Sequence, residues 1–115
     1  MFCSYAGFVT SRGGMAMKQG GEVFIFATFH ATSGYEEELA AAMRQVIAST
    51  REEPGCRVIG GYRSCVDPAL FYIHSHWVDD AALDNHVSLP HTVRFMGSTK
   101  ALLDRPALIV KTRPV

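Results

Sequence analysis

The chain has 115 residues, 48% of them apolar and 19% charged, the size and balance of one globular domain with a modest core. Eleven basic residues offset eleven acidic ones, which excludes the electrostatic footprint of a nucleic-acid or anionic-membrane binder. Apolar runs such as Val23 to Ala27 are too short to span a bilayer, and Cys3, Cys56 and Cys65 form no CxxC pair, so free thiols in a reducing, cytoplasmic setting are expected.

Residues 1–20 carry Arg12 and Lys18 but no acid, and no positive charge precedes their short apolar patch, which is the wrong order for a secretory signal. They read as an N-terminal extension to a domain of residues 21–115, with Met15 or Met17 as alternative translation starts. Neither Gly13-Gly14 nor Gly20-Gly21 precedes the strand-to-helix turn that a phosphate loop requires.

Glu22 to His30 is a strand by its valine, isoleucine and phenylalanines. It is apolar at nearly every position rather than alternately, so both of its faces should be covered, which predicts a dimer. Ser33 to Glu36 has the S-x-x-E spacing of a capping box. The helix that follows should run to about Arg51, with Leu39, Met43, Val46 and Ile47 in one apolar stripe and Pro54-Gly55 ending it. Cys56 to Ser64 is a second strand, in which Gly60-Gly61 implies a bulge or a close approach by backbone or ligand. Leu70 to Trp77 is a third, forming a hairpin with the second; Leu70, Tyr72, His74 and His76 share one face, and Phe71, Ile73, Ser75 and Trp77 the other. Asp79 or Asp80 caps the next helix, Pro90 breaks it and starts another turn, and Ala107 to Thr112 is the last strand.

The order βαββαβ, with its second helix in two pieces, predicts an α+β ferredoxin-like domain: a four-stranded antiparallel sheet with helices on one face. The uncovered apolar face would pair with that of a second copy.

The motifs in this frame are Glu53-Pro54-Gly55-Cys56, Asp67-Pro68-Ala69-Leu70-Phe71, W-x-D-x-x-A-x-x-x-H from Trp77 to His86, then Pro90-His91 and Phe95. Together they resemble the antibiotic biosynthesis monooxygenase (ABM) domain family over about Glu22 to Val115. The resemblance implies a dimeric α+β barrel. Members include cofactor-free oxygenases of quinols and polyketide phenols, haem-degrading enzymes, and an isomerase-like enzyme acting on a phosphorylated signal compound. Many relatives place a glutamate two residues before the tryptophan, where this chain has Ser75; the haem branch would carry an asparagine near Ala27 or Thr28, and none is there.

His86 is the leading candidate for a general base, set beside the aromatic wall of Trp77; a helix histidine bonded to a backbone carbonyl is the plainer alternative. His91, at a helix start, would be held neutral by the dipole and could accept a proton or polarise a carbonyl. Ser75, Ile73, Phe71 and Phe95 would line the pocket. Arg63 could meet an anionic group, although surface pairing is the ordinary fate of Arg57 and Arg63. His74 and His76, as H-x-H, could offer two ligands to zinc, iron or nickel, with His30 as a third, but no third ligand has a diagnostic spacing, so no metal is expected.

The expected activity is oxygenation of a small electron-rich aromatic or quinol by O2 without a cofactor. Two alternatives are a non-catalytic small-ligand-binding domain, favoured by Ser75, and an isomerase of a small phosphorylated compound, with Arg63 as the phosphate contact. The expected partners are a second copy and a small-molecule substrate, with no nucleic acid and no membrane.

Overall fold

The computed structural model describes residues 21–115; the reading of residues 1–20, including Cys3, lies outside them. Four strands, β1 (Val23–His30), β2 (Cys56–Arg63), β3 (Leu70–Trp77) and β4 (Leu108–Thr112), form one antiparallel sheet in the order β2-β3-β1-β4. Helix α1 (Glu36–Thr50) connects β1 to β2, while α2 (Asp80–Ser88), α3 (Pro90–Thr99) and a 3-10 turn (Lys100–Leu102) connect β3 to β4. The ferredoxin-like α+β fold expected from the element order is thus present, broken second helix included.

Register sorts the side chains. Val23, Ile25, Ala27 and Phe29 stand opposite Trp77, Ser75, Ile73 and Phe71, and all eight are buried under the helices. Leu39, Met43, Val46 and Ile47 of α1 complete that core, as the spacing predicts, with Leu83 of α2 and Phe95 of α3. Each such side chain taken fully from water contributes about 1.5–3 kcal/mol.

Within the single chain β1 is covered on one side, and its other side is the one expected to meet a second copy. Its burial alternates, and the outward Phe26 is 51% exposed. Around it the open face presents Val58 and Tyr62 of β2, Tyr72 of β3, and Leu108 and Val110 of β4, all exposed.

The capping box is a correction. The α1 N-cap is Tyr35, with no side-chain cap. Gly34, at φ 95°, turns the chain after Ser33, so the serine falls too early to reach the first turn, and the Gly34 N–H instead donates to Glu36 Oε1 at 3.0 Å. Asp79 does cap α2, its carboxylate accepting from Ala82 N at 2.9 Å. Next to it, Asp80 binds Lys111 at 2.9 Å and Arg113 at 2.8 Å, tying the start of α2 to β4 and the residue just beyond it.

The β2 irregularity falls between Cys56 and Val58 rather than at the glycines. Gly61 answers to a close approach: a Cβ there would lie 2.7 Å from Ile47 Cδ1, so its bareness lets α1 settle against β2.

Candidate active site

The site grows from the Glu53-Pro54-Gly55-Cys56 turn. Beyond α1 the chain makes one more tight turn, Glu53 N–H donating to Thr50 O and Cys56 N–H to Glu53 O, both at 3.0 Å. A Cβ on Gly55 would collide with Ala82 on α2, so only glycine lets this turn press beneath the helix. Val78 N–H donates to Gly55 O at 3.0 Å and fixes the contact. Glu53 is thereby carried inward, where its side chain is 7% exposed.

There it meets two imidazoles. His86 Nδ1 lies 2.8 Å from Glu53 Oε2, and His91 Nε2 lies 2.6 Å from the same oxygen. With the carboxylate ionised, both rings donate to it, which leaves His86 Nε2 and His91 Nδ1 as the free lone pairs. Thr92 Oγ1 is 3.2 Å from His86 Nδ1. Glu53 Oε1 is buried and has no hydrogen-bond partner among the described residues, a costly state for a carboxylate oxygen. Burial lowers the His86 pKa, partly opposed by Glu53 and reinforced by the neighbouring His91. Burial thus favours the neutral imidazole, the form a base needs.

Trp77 and His86 are in ring contact, their centroids 4.5 Å apart at 37°. The indole N–H donates to Ser75 Oγ at 2.9 Å, so the serine orients the aromatic wall. Beneath lies a hollow of only about 40 Å³, lined among others by Ile73, Ser75, His86, Thr92, Phe95 and Met96. That is room for about one water. A second space of about 360 Å³ lies between α1 and α3, bordered by Gln45, Ser49, His91 and Arg94. Val46 and Phe95 line both spaces and form the partition between them. Glu53 thus joins an imidazole on the inner hollow to one on the outer groove.

The structure therefore brings together His86, His91, Trp77, Ser75, Ile73 and Phe95. Phe71 and Arg63 stand apart, on another groove: the Arg63 guanidinium stacks 4.8 Å over the Phe71 ring, donates to Pro68 O at 2.8 Å and pairs with Glu37 at 2.9 Å. Arg57 pairs with Glu22 at 3.2 Å.

Sequence reasoning missed Glu53 as a site residue, although it opens one of the quoted motifs; the signal was an acid placed directly before a Pro-Gly turn. Glu53, His86 and His91 are also the described residues whose donors, within 4.8 Å of one another, are of kinds that hold a divalent metal. In the present arrangement both imidazoles meet Glu53 Oε2, and Glu53 Oε1 is left without a partner among the described residues. The H-x-H pair lies on the open face instead, His76 stacked 4.0 Å from Phe24 and 3.2 Å from Glu22, while His30 is bound elsewhere by Asp67 and Asp104. Cys56 is half-buried, and burial together with Glu53 raises its thiol pKa, consistent with an inert residue.

Comparison with known proteins agrees with this architecture. The pattern of the antibiotic biosynthesis monooxygenase family matches residues 23–98. The crystal structure of PA3566 from Pseudomonas aeruginosa superposes with a TM-score of 0.77 at 30% identity, over 86% of this chain and 99% of that one. Rv0793 of Mycobacterium tuberculosis, a provisional monooxygenase by name, is 28% identical over 81% of this chain and 91% of its own, and its structure superposes with a TM-score of 0.79. The Synechocystis protein sll1783 is 32% identical over 74 residues, and the match spans 50% of its length. The chain belongs to the antibiotic biosynthesis monooxygenase family. Among the described residues no helix is long and apolar enough to cross a membrane.

Proposed function

We propose that the protein is a cofactor-independent monooxygenase that oxidises a small electron-rich aromatic or quinol with O2. The observation that carries this reading is the buried Glu53–His86 pair beside Trp77: a carboxylate fixing one ring nitrogen of a neutral imidazole and leaving the other free as a base. Ground-state O2 is a triplet and reacts slowly with closed-shell molecules, whereas a deprotonated phenol or anthrone-type carbon can surrender an electron to it. An activated C–H proton passes to His86 Nε2, the carbanion gives one electron to O2, and the resulting radicals join in a C–O bond. The peroxide anion takes back the proton from His86, and the hydroperoxide so formed loses water, leaving a carbonyl. The balance is a methylene and dioxygen in, a ketone and water out. Glu53 steadies the imidazolium while it exists, and the apolar walls exclude water.

A hollow of about 40 Å³ does not admit such a ring as it stands. Substrate therefore displaces the Val46–Phe95 partition, joining the hollow to the groove at His91. The family membership and the exposed apolar sheet face support a homodimer paired through that face. The reading of residues 21–115 as one ABM-like domain, with residues 1–20 as an extension, belongs to the same proposal.

Oxygen-electrode assays with a panel of hydroquinones and anthrones test the reading. One of them should support oxygen uptake that survives dialysis against a chelator and falls at least about 10²-fold in His86→Ala. Full turnover in that variant refutes His86 as the base, and loss of activity on chelation would return Glu53, His86 and His91 to consideration as metal ligands.

A further inference from the structure

We infer that the groove between α1 and β2, separate from the His86 site, binds a small organic anion with a flat apolar body, its oxyanion held by guanidinium groups. The groove has a volume of about 370 Å³, within the range of small-ligand pockets. Its floor is apolar, with Met43 and Ile47 of α1 and the bare backbone of Gly61. Arg44, Arg51 and Arg63 all border it, a local concentration of positive charge in a chain whose formal net charge is zero.

Two of these guanidiniums are held in place before any ligand arrives. Arg51 Nη2 donates to Ile59 O at 3.1 Å. Arg63 is fixed by Pro68 O, Glu37 and the face of Phe71. Each keeps further N–H groups in reserve, and little side-chain entropy remains to be lost on binding. Arg44 makes no ion pair or hydrogen bond with any described residue, and its neighbours one turn away on α1, Ala40, Ala41, Ile47 and Ala48, include no acid. The acid paired at this groove is Glu37, already engaged by Arg63. A carboxylate or a phosphomonoester suits the unpaired Arg44 guanidinium, and an aryl ring suits the apolar side chains of Met43 and Ile47.

Titration calorimetry of the full chain with 1-naphthoate and with 1-naphthyl phosphate, against neutral 1-naphthol, tests the inference. Amide chemical-shift mapping locates the contact. At least one anion should bind once per chain and move the Gly61 and Arg44 amides, with 1-naphthol failing to bind there. The carboxylate and phosphate arms distinguish which oxyanion is preferred. Arg44→Gln should weaken binding about tenfold, and Arg44→Lys less. The inference is overturned by any of four results: no saturable binding of either anion, equal binding of 1-naphthol, shifts clustered at His86, or undiminished affinity in Arg44→Gln. Because it rests on binding alone, it stands or falls independently of the oxygenase reading.

Discussion

Glu53 accepts from two imidazoles through a single oxygen, and that shared acceptor governs the behaviour of both rings. In the Glu53→Gln variant the carboxylate no longer raises the His86 pKa against burial, so the pKa falls further and the base weakens. In the native protein the rising limb of kcat/KM against pH should have its midpoint below 6.5, because the net shift of His86 is downward. Glu53→Gln should move that limb to lower pH and reduce the plateau about 10²-fold. A native midpoint above 6.5, or a plateau unchanged by the substitution, argues against His86 acting with Glu53.

Among the elements, the turn from α1 into β2 and the clasp at the far end of the sheet carry the sharpest consequences. Gly55→Ala would drive a methyl group into Ala82 and towards the α2 backbone, which flexible side chains cannot relieve. It should destabilise the protein by about 1–3 kcal/mol in denaturant unfolding and disturb the Glu53–His86 contact as well. At the clasp, His30 at the end of β1 bonds Asp67 through Nε2 at 2.9 Å and Asp104 through Nδ1 at 3.0 Å, joining the β2–β3 turn to the segment before β4. Its pKa is raised, first by Asp67 and then by Asp104, against partial burial and the charge of Arg105. The stability it contributes is therefore fully present below pH 6.5 and is lost as pH rises through the elevated value. Thermal unfolding of His30→Gln should fall below the native curve at pH 6 and approach it at alkaline pH; a gap that widens with pH would contradict this.

These elements also divide what was legible in the chain from what was not. The ends of β3, the Pro90 break, the Asp79 cap and the α1 stripe follow from local pattern, and the structure has them all. His86 was legible because an apolar helix face is periodic. Glu53 was not, because its burial arises from a glycine contact with a helix some thirty residues further along, which no local period encodes. The misplaced cap at Ser33 has the opposite origin: the local motif is there, but Gly34 turns the chain before the motif can act. Phe71 shares a strand face with Trp77 and Arg63 offers a contact for an anion, which sets both in the pocket, whereas register places them at the end of the sheet away from Trp77.

At the scale of the molecule, the open side of the sheet is the surface through which the proposed dimer would pair. Phe26, Val58, Tyr62, Tyr72, Leu108 and Val110 form an apolar surface on the face of the sheet that the helices leave open. Phe26 is central, paired with His74 on one flank and Val110 on the other. A charge there should cost the proposed dimer most of its affinity while sparing the monomer core. Phe26→Asp is expected to sediment as a monomer under conditions where the native protein is a dimer. Native protein that sediments as a monomer would remove the pairing from the proposal.

The ring contact between Trp77 and His86 has an optical consequence, since this is the chain's only tryptophan. A protonated imidazole against an indole quenches its emission, and a neutral one does so far less. The intrinsic fluorescence of the folded protein should brighten as pH rises, along a curve whose midpoint lies below 6.5. That curve should vanish in His86→Ala, so the molecule carries a gauge of its own base that can be read with no substrate in hand.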